Sequence, residues 1–407
     1  MPYETMQIET STGHRLAGAL ELPPGEIRGG ALFAHCFTCT KQSKAAVTVS
    51  RTLALHGIAT LRFDFTGLGG SEGEFGNSGF SGDVADLVAS AKALIEKVGP
   101  GLLLIGHSLG GAAVLSAASG LGDDAVAAVA TIGAPSDVPH VLHNIRGDLE
   151  TIERDGQGEV NIGGRSFQLR RKFLEETREI DLLSRVSALR LPILFAHSPT
   201  DQIVGIEHAS RLYDAAKHPK SFLSLAGADH LLTDASDAEF VAAMIATWAQ
   251  RYLQHRSEPI APGDGVLSAT GHGKFGTQIV AGRHRFIADE PKSYGGEDAG
   301  PTPYDLLGAA LGTCTAMTMK MYADRKGLPL EGVEVRVTHE RDHAAVCEDV
   351  ALEETGMPTQ ALHRKIAIHG DALSTEDRRK IVEIADKCPV HRTLEGALHI
   401  HTVSGED

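Results

Sequence analysis

Apolar positions along the first 250 residues alternate between short unbroken runs and runs at helical spacing. Met6 to Leu22 alternates loosely around Thr12-Gly13-His14, the pattern of an antiparallel hairpin at a sheet edge. Ala31-Leu32-Phe33-Ala34-His35 reads as a buried strand, Ala45 to Leu55 as a helix, and Ile58 to Phe63 as the next strand. Val84, Leu87, Val88, Ala91, Leu94, Ile95 and Val98 recur at helical spacing before the apolar run Leu102-Leu103-Leu104-Ile105. A small-residue helix follows from Gly111, then a strand over Ala125 to Ile132. Strands resume at Pro192 to Ala196 and Ser221 to Leu225, and an amphipathic helix carries Phe240, Met244, Ile245, Trp248 and Leu253. Strands alternating with helices imply a mostly parallel sheet covered on both faces, an α/β architecture. Ser136 to Leu191, charged and hairpin-like at Val160 to Arg165, breaks the alternation and reads as an insertion.

Gln254 to Gly265 is polar and contains Pro259, Pro262, Gly263 and Gly265. A domain boundary belongs there: residues 1–255 form one domain, 256–265 a linker, and 266–407 a second, α+β domain. Thr277 to Ala281 and Arg283 to Ala288 read as strands, and Val333, Val335 and Val337 alternate as another. Between them Thr302-Pro303-Tyr304-Asp305 starts a helix with an N-cap, a proline at N1 and a capping-box acid. That helix runs to Arg325-Lys326-Gly327 and is apolar or small nearly all round, so it is expected to be buried centrally. Ser374 to Lys387 is a second capped helix, stopping at Cys388-Pro389.

The bulk numbers narrow the class. At 407 residues, 42% of them hydrophobic, the chain is expected to be soluble and of two or three domains. A net charge of −15 argues against nucleic acid and anionic membranes as partners. Met1 to Thr10 has neither a basic region nor an apolar run, and no stretch suffices to span a bilayer; a cytoplasmic location is expected. Five cysteines (Cys36, Cys39, Cys314, Cys347 and Cys388) at irregular spacing do not form a secreted disulfide framework.

Gly106-His107-Ser108-Leu109-Gly110 stands between an apolar strand and a small-residue helix, the setting in which flanking glycines let a sharp turn lift a serine above a sheet edge. Such a serine needs a base and an acid, in that fold arriving later along the chain in the order acid, then histidine. Asp201, in His197-Ser198-Pro199-Thr200-Asp201, and His230, in Gly227-Ala228-Asp229-His230, follow strand ends on the side of Ser108. Asp137 and Asp229 are weaker alternatives for the acid. The backbone N–H of Leu109 and that of Phe37, in His35-Cys36-Phe37, are the expected oxyanion donors. Cys36-x-x-Cys39 reads as two loop cysteines beside the pocket rather than a metal or redox pair. Thr66-Gly67-Leu68-Gly69-Gly70 lacks the Gly-Lys-Ser/Thr of a phosphate loop and reads as structural.

With these motifs and Arg62-Phe63-Asp64-Phe65-Thr66-Gly67-Leu68-Gly69-Gly70-Ser71, residues 1 to about 255 resemble the α/β-hydrolase superfamily, in its serine esterase and peptidase-like branch. The resemblance implies acyl transfer to water through an acyl-serine intermediate and makes 136–191 a small cap over the site. The cap decides between esterase, thioesterase and peptidase.

In the second domain, Cys314 falls mid-helix and Cys388 at a helix end; by residue physics alone both read as buried small hydrophobes. Gly282-Arg283-His284-Arg285-Phe286, Gly300-Pro301-Thr302-Pro303-Tyr304-Asp305-Leu306-Leu307, the Cys314 helix and Cys388-Pro389-Val390-His391 resemble the OsmC/Ohr family of thiol-dependent hydroperoxide reductases. The resemblance implies an intertwined homodimer, a Cys314 thiolate that attacks an organic hydroperoxide, and Cys388 as the resolving thiol. An external dithiol would reduce the resulting disulfide. Arg285, then Arg283, are the candidates for holding the thiolate. Tyr304 stands where the reductases carry a glutamate, the departure that favours an alternative in which this domain is only a dimerisation or ligand-binding module. Cys347 reads as an exposed bystander. The whole is expected to be a bifunctional enzyme acting on acyl esters and organic hydroperoxides, with no cofactor or metal. The fusion would pair two steps on one class of oxidised acyl ester.

Overall fold

The computed structural model describes residues 3–36, 39–122, 124–144, 149–162, 165–253, 265–271, 273–341 and 360–403. Cys347, Phe37 and the linker 256–264 therefore lie outside the described residues. The chain folds into two compact units, Met1–Ile287 with Lys292–Ala299, and Ala288–Pro291 with Gly300–Asp407.

The first unit is built on strands β1 (Tyr3–Glu9), β2 (Arg15–Glu21), β3 (Gly29–Ala34), β4 (Ile58–Phe63), β5 (Leu102–His107) and β6 (Val126–Ile132). β7 (Gln157–Ile162) and β8 (Arg165–Arg170) form a separate hairpin, and β9 (Ile193–His197) and β10 (Lys220–Ser224) complete the main sheet. The eight-stranded order is β1-β2-β4-β3-β5-β6-β9-β10. It is antiparallel at β1–β2 and β2–β4 and parallel thereafter.

Both faces of the sheet are covered. The helices of this unit are α1 (Lys44–Leu55), α2 (Phe75–Val98), α3 (Leu109–Leu121), α4 (Leu149–Asp155), α5 (Arg171–Glu179), α6 (Leu182–Ala188), α7 (Ile206–Ala215) and α8 (Ala235–Ala249). Side chains alternate across each strand. Leu32 and Leu104 pack with Leu87, Leu94 and Val114 of α2 and α3, while Phe33 and Ile105 pack with Val49 of α1 and Ile245 of α8. Burial on both faces is why β3, β4 and β5 read as unbroken apolar runs rather than alternating ones.

The insertion after β6 comprises a 3-10 segment (Val138–Asn144), α4, the β7–β8 hairpin, α5 and α6. Phe173 and Leu174 of α5 bury into the core on the α2–α3 face. Gly76 lets α2 pass close to β8: a Cβ there would lie 1.8 Å from the Gln168 carbonyl oxygen.

Strands β11 (Val266–Thr270), β12 (Thr277–Ala281) and β13 (His284–Ala288) form a three-stranded sheet. Up to Ile287 they group with the first unit rather than with residues 300–407, to which the sequence assigned them. The reason is local: the segment around Gly271 and Gly276 lies against Pro24, where a Cβ on either glycine would come within 2.0 or 2.8 Å of the Pro24 carbonyl oxygen.

The second unit holds α9 (Pro303–Lys326), the ribbon β14 (Gly332–Arg341) and β15 (Gln360–His369), α10 (Thr375–Ala385) and α11 (Pro389–Glu395). The expected capping box opens α9: Thr302 Oγ1 accepts from Asp305 N–H at 3.1 Å and the Asp305 carboxylate accepts from Thr302 N–H at 3.0 Å. Gly327 closes it in the left-handed region at φ 64°. α9 is not buried all round as its composition suggested. Leu311, Thr315, Met319 and Ala323 are buried, whereas Met317 and Met321 are 65% and 71% exposed. The ribbon and α10 cover one side of the helix, and the opposite side keeps its apolar surface.

Candidate functional site

The turn between β5 and α3 is a strained serine corner. Ser108 has φ 55° and ψ −126°, a left-handed backbone that a side-chain-bearing residue adopts only when its surroundings impose it. They do so here. Ser108 N–H donates to the Ile132 carbonyl at 2.8 Å, and the Ser108 carbonyl accepts from Gly111 N–H at 2.8 Å. The flanking glycines are a steric requirement: a Cβ on Gly106 would lie 2.2 Å from the Gly110 carbonyl oxygen, and one on Gly110 would lie 2.5 Å from that of Ala34.

Three side chains from three loops meet at this corner. His230 Nε2 lies 2.9 Å from Ser108 Oγ, and His230 Nδ1 lies 2.7 Å from Asp201 Oδ2. The other Asp201 oxygen accepts from Ile203 N–H at 2.8 Å and Val204 N–H at 2.9 Å. Burial works against the Asp201 charge, but the His230 and backbone hydrogen bonds outweigh it and hold the carboxyl below its ordinary range. The carboxylate fixes Nδ1 as the protonated nitrogen and leaves Nε2 to accept from the serine. Asp137 and Asp229 stand elsewhere: Asp137 accepts from His140 N–H, and Asp229 caps its own loop through Leu231 and Thr233.

A second ring of histidines holds the first. Buried His107 is 2.6 Å from the His230 carbonyl through Nε2, and burial with the neighbouring His230 lowers it to about 4. It is therefore neutral at working pH, and Nε2–H donates to that carbonyl. His197 bonds the Val204 carbonyl at 2.8 Å, bracing the turn that aims Asp201. The sequence marks His107 merely as a motif position; its hold on the His230 loop is visible in three dimensions alone.

Leu109, expected to offer an oxyanion donor, is the first residue of α3, where an N–H has no acceptor within its own helix. Phe37, expected to offer the other, lies outside the described residues. On either side of it, Cys36 and Cys39 are joined in a disulfide, a bond the sequence reading did not assign. Cys39 N–H also donates to the Cys36 carbonyl at 3.1 Å. The next segment is pinned independently: Lys41 N–H donates to Asp64 at 2.6 Å, the Lys41 ammonium also meets Asp64, and buried Arg62 donates to the Lys41 carbonyl at 2.8 Å. Asp64 further accepts from Gly70 N–H at 2.9 Å, which gives the glycine-rich loop its structural role.

The second unit brings Cys314 and Cys388 together as free thiols. Cys314 is half-buried on α9, and Cys388 is fully buried as the N-cap of α11. Burial pushes the Cys388 thiol up, but hydrogen bonds from the Cys314 thiol, His391 N–H, the Thr315 hydroxyl and Val390 N–H bring it below its ordinary range. Arg364, on β15, donates to Thr315 Oγ1 at 3.2 Å; neither residue was singled out from the sequence. Arg285 lies in β13 and Arg283 in the turn before it, both in the first unit. Tyr304 stacks on His339 with ring centroids 3.9 Å apart, and the Asp305 carboxylate is engaged in the capping box. These residues help line a groove of about 720 Å³ with Gly308, Gly312 and Val337.

The family model described as the alpha/beta hydrolase family matches residues 29–272. The chain belongs to that family. A second model, described as OsmC-like protein, matches residues 295–403, so the hydrolase is followed by an OsmC-like domain. The esterase domain of a Rhodothermus marinus protein is 48% identical with a TM-score of 0.52, covering 62% of this chain and all of that one. Est1E of Butyrivibrio proteoclasticus, solved with ferulic acid bound, has a TM-score of 0.54 at 22% identity over 61% of this chain and 98% of its own, and shares the fold. The mitochondrial palmitoyl-protein thioesterase ABHD10 of Rattus norvegicus is 23% identical over 51% of this chain and 71% of its own length. Among the described residues no helix is long and apolar enough to cross a membrane.

Proposed function

We propose that the first domain is a serine esterase or thioesterase in which Ser108 is the nucleophile, His230 the general base and Asp201 its orienting acid. The observation that carries this reading is the continuous chain Ser108 Oγ–His230 Nε2–Asp201 at 2.9 and 2.7 Å, headed by a serine on a strained corner. His230 takes the Ser108 proton as Oγ attacks the acyl carbonyl, then returns it to the departing alkoxide or thiolate; water repeats the sequence on the acyl-serine. Leu109 N–H, with Phe37 N–H, would steady the tetrahedral oxyanion. Ser108→Ala should abolish both turnover of p-nitrophenyl esters and labelling by a fluorophosphonate; labelling retained in that variant would sink the assignment. Comparing acyl-thioesters with oxygen esters of equal chain length decides between the two substrate classes.

The second domain, in the same reading, is a thiol-dependent organic hydroperoxide reductase. The half-buried Cys314 receives the hydroperoxide, Cys388 resolves it, an external dithiol restores the pair, and Arg285 or Arg283 steadies the Cys314 thiolate. The juxtaposition of two free thiols supports it. One equivalent of an organic hydroperoxide should give a Cys314–Cys388 disulfide, absent in Cys314→Ser. Unchanged thiols would favour instead a dimerisation or ligand-binding module. The exposed Met317 and Met321 support a homodimer through this domain, to be read by light scattering of the full chain.

A further inference from the structure

The reaction just assigned to the thiol pair uses no residue of β15, yet one cation on that strand is built into the pair's surroundings. The Arg364 side chain is 13% exposed. It reaches from the ribbon to α9 and to the end of α10. Nη1 donates to Thr315 Oγ1 at 3.2 Å and to the Ala385 carbonyl at 3.1 Å, and Nη2 donates to Asp386 Oδ1 at 2.8 Å. Two of these partners lead to Cys388. The Ala385 carbonyl also accepts from Cys388 N–H at 3.3 Å, so the arginine and the cysteine backbone share one acceptor. Buried Thr315, whose hydroxyl donates to the Leu311 carbonyl at 2.8 Å, is also among the groups that lower the Cys388 thiol.

The threonine hydroxyl has one proton to give and two lone pairs. Arg364 is a donor only and occupies a lone pair, so the proton must point elsewhere. The Leu311 carbonyl accepts it at 2.8 Å, and the alternative acceptor is Cys388 Sγ, whose thiol this hydroxyl helps to lower. A neutral thiol is a poor acceptor and a thiolate a good one. The proton therefore rests on Leu311 when Cys388 is neutral and turns to the sulfur when Cys388 ionises. Polarised by the guanidinium, the hydroxyl becomes a better donor.

We propose that Arg364 is a positioning residue for the resolving thiol, acting through Thr315 to favour the Cys388 thiolate and through Ala385 to hold it beside Cys314. The proposal rests on the reductase reading and adds a separate control over its second step. In the first step the Cys314 thiolate attacks the distal oxygen of an organic hydroperoxide. The O–O bond breaks, the peroxide leaves as an alcohol after taking a proton, and sulfur is oxidised by two electrons to a sulfenic acid. In the second step the Cys388 thiolate attacks the Cys314 sulfur, an S–S bond forms, the S–O bond breaks, and hydroxide leaves as water on protonation. Half-buried Cys314 can meet the peroxide; fully buried Cys388 meets only its partner. Among the described residues, the titratable groups close by include Asp386, which takes the outer arm of Arg364, and His391, whose Nε2 lies 2.8 Å from Glu395.

The test uses the reduced full chain, tert-butyl hydroperoxide, and mass spectrometry with a sulfenate trap to time the two steps separately. In Arg364→Gln, sulfenate formation on Cys314 should stay within about twofold while disulfide formation slows by about tenfold at pH 7. Its pH midpoint should rise by about one unit, the same tenfold change in thiolate population. Arg364→Lys, which retains the charge, should recover part of that rate. Thr315→Val, which spares the arginine's bonds to Ala385 and Asp386, should reproduce the upward shift. An unchanged disulfide rate and midpoint in both Arg364→Gln and Thr315→Val, or equal slowing of both steps, would overturn the proposal. Thiolate absorbance of Cys388 in a Cys314→Ser background separates the two readings. If the peroxide leaves wild-type Cys314 untouched while Arg364→Gln still raises the Cys388 midpoint, the reductase reading fails and the coupling stands. An unmoved midpoint defeats the coupling itself.

Discussion

Replacing Asp201 by asparagine tests the catalytic assignment more sharply than removing the serine, because it keeps the side chain's shape and exchanges one carboxylate oxygen for an NH₂ donor. The Asp201 side chain is 1% exposed, and its two oxygens have different work. One accepts from Ile203 and Val204 N–H at 2.8 and 2.9 Å; the other accepts from His230 Nδ1 at 2.7 Å. An asparagine cannot turn its NH₂ toward two backbone donors, so its carbonyl must keep that position and its NH₂ must face His230. Nδ1 then becomes an acceptor, the imidazole proton moves to Nε2, and Nε2 can no longer accept from Ser108. In a serine protease the same inversion lowers kcat by about 10⁴, equivalent to about 5.5 kcal/mol of barrier. We expect a loss of that order in kcat for p-nitrophenyl ester hydrolysis, with Tm nearly unchanged because the two backbone hydrogen bonds survive. Asp229→Asn, on an exposed loop residue that caps only its own turn, should stay within about twofold of wild type on the same assay. A loss of less than tenfold in Asp201→Asn would refute the tautomer argument. So would an equal loss in Asp229→Asn.

Other consequences follow from steric and ionic features around the site. Gly110→Ala drives a Cβ to within 2.5 Å of the Ala34 carbonyl oxygen, so it should destabilise the first domain by about 1–3 kcal/mol or more; an unshifted melting curve would contradict that geometry. Reducing Cys36–Cys39 opens a small ring, and the chain-entropy relation for four residues gives a loss of about 2 kcal/mol. Calorimetry with and without dithiothreitol should show Tm lower by roughly 4–8 °C on reduction, and an unmoved Tm would show that the bridge adds no stability. Burial first, then Asp86 and Glu176, raise the Asp83 carboxyl well above its ordinary range. A raised acid binds its proton more tightly folded than unfolded, so its stabilisation is present at acid pH and lost as pH climbs toward the folded value. Asp83→Asn should therefore raise Tm at pH 8, by about 2–4 °C for each kcal/mol recovered, and change little at pH 4. A larger gain at pH 4 would reverse the assigned sign.

The hydrolase was legible because its constraints are steric and local. A serine at φ 55° needs small neighbours, so Gly106 and Gly110 appear in the sequence as a motif, and a strand buried on both faces appears as Leu102-Leu103-Leu104-Ile105. The capping box of α9 was legible for the same reason: its partners are three residues apart. Distant partners leave less trace. Ser108 and His230 are brought together across 122 positions, and their order along the chain, rather than any local pattern, marked His230.

Patterning reads burial from the polarity of a side chain, so it fails where a polar group is buried with partners or an apolar one is left bare. Met317 and Met321 face outward on α9 because the period records what a helix needs covered and says nothing of which surface does the covering. Arg364 is the converse. In β15 it stands among His363 and Lys365 in a run that looks solvated, yet its neighbours turn it inward to Thr315 and Ala385. A buried guanidinium persists only where its donors are matched. Here the matching groups come from α9, which carries Cys314, and from the end of α10, just ahead of Cys388. The ribbon thus ties, through one side chain, the helix that carries Cys314 to the helix end that precedes Cys388. Such a junction is defined by three segments at once, and a reading that scores each segment by its own periodicity has no means of finding it.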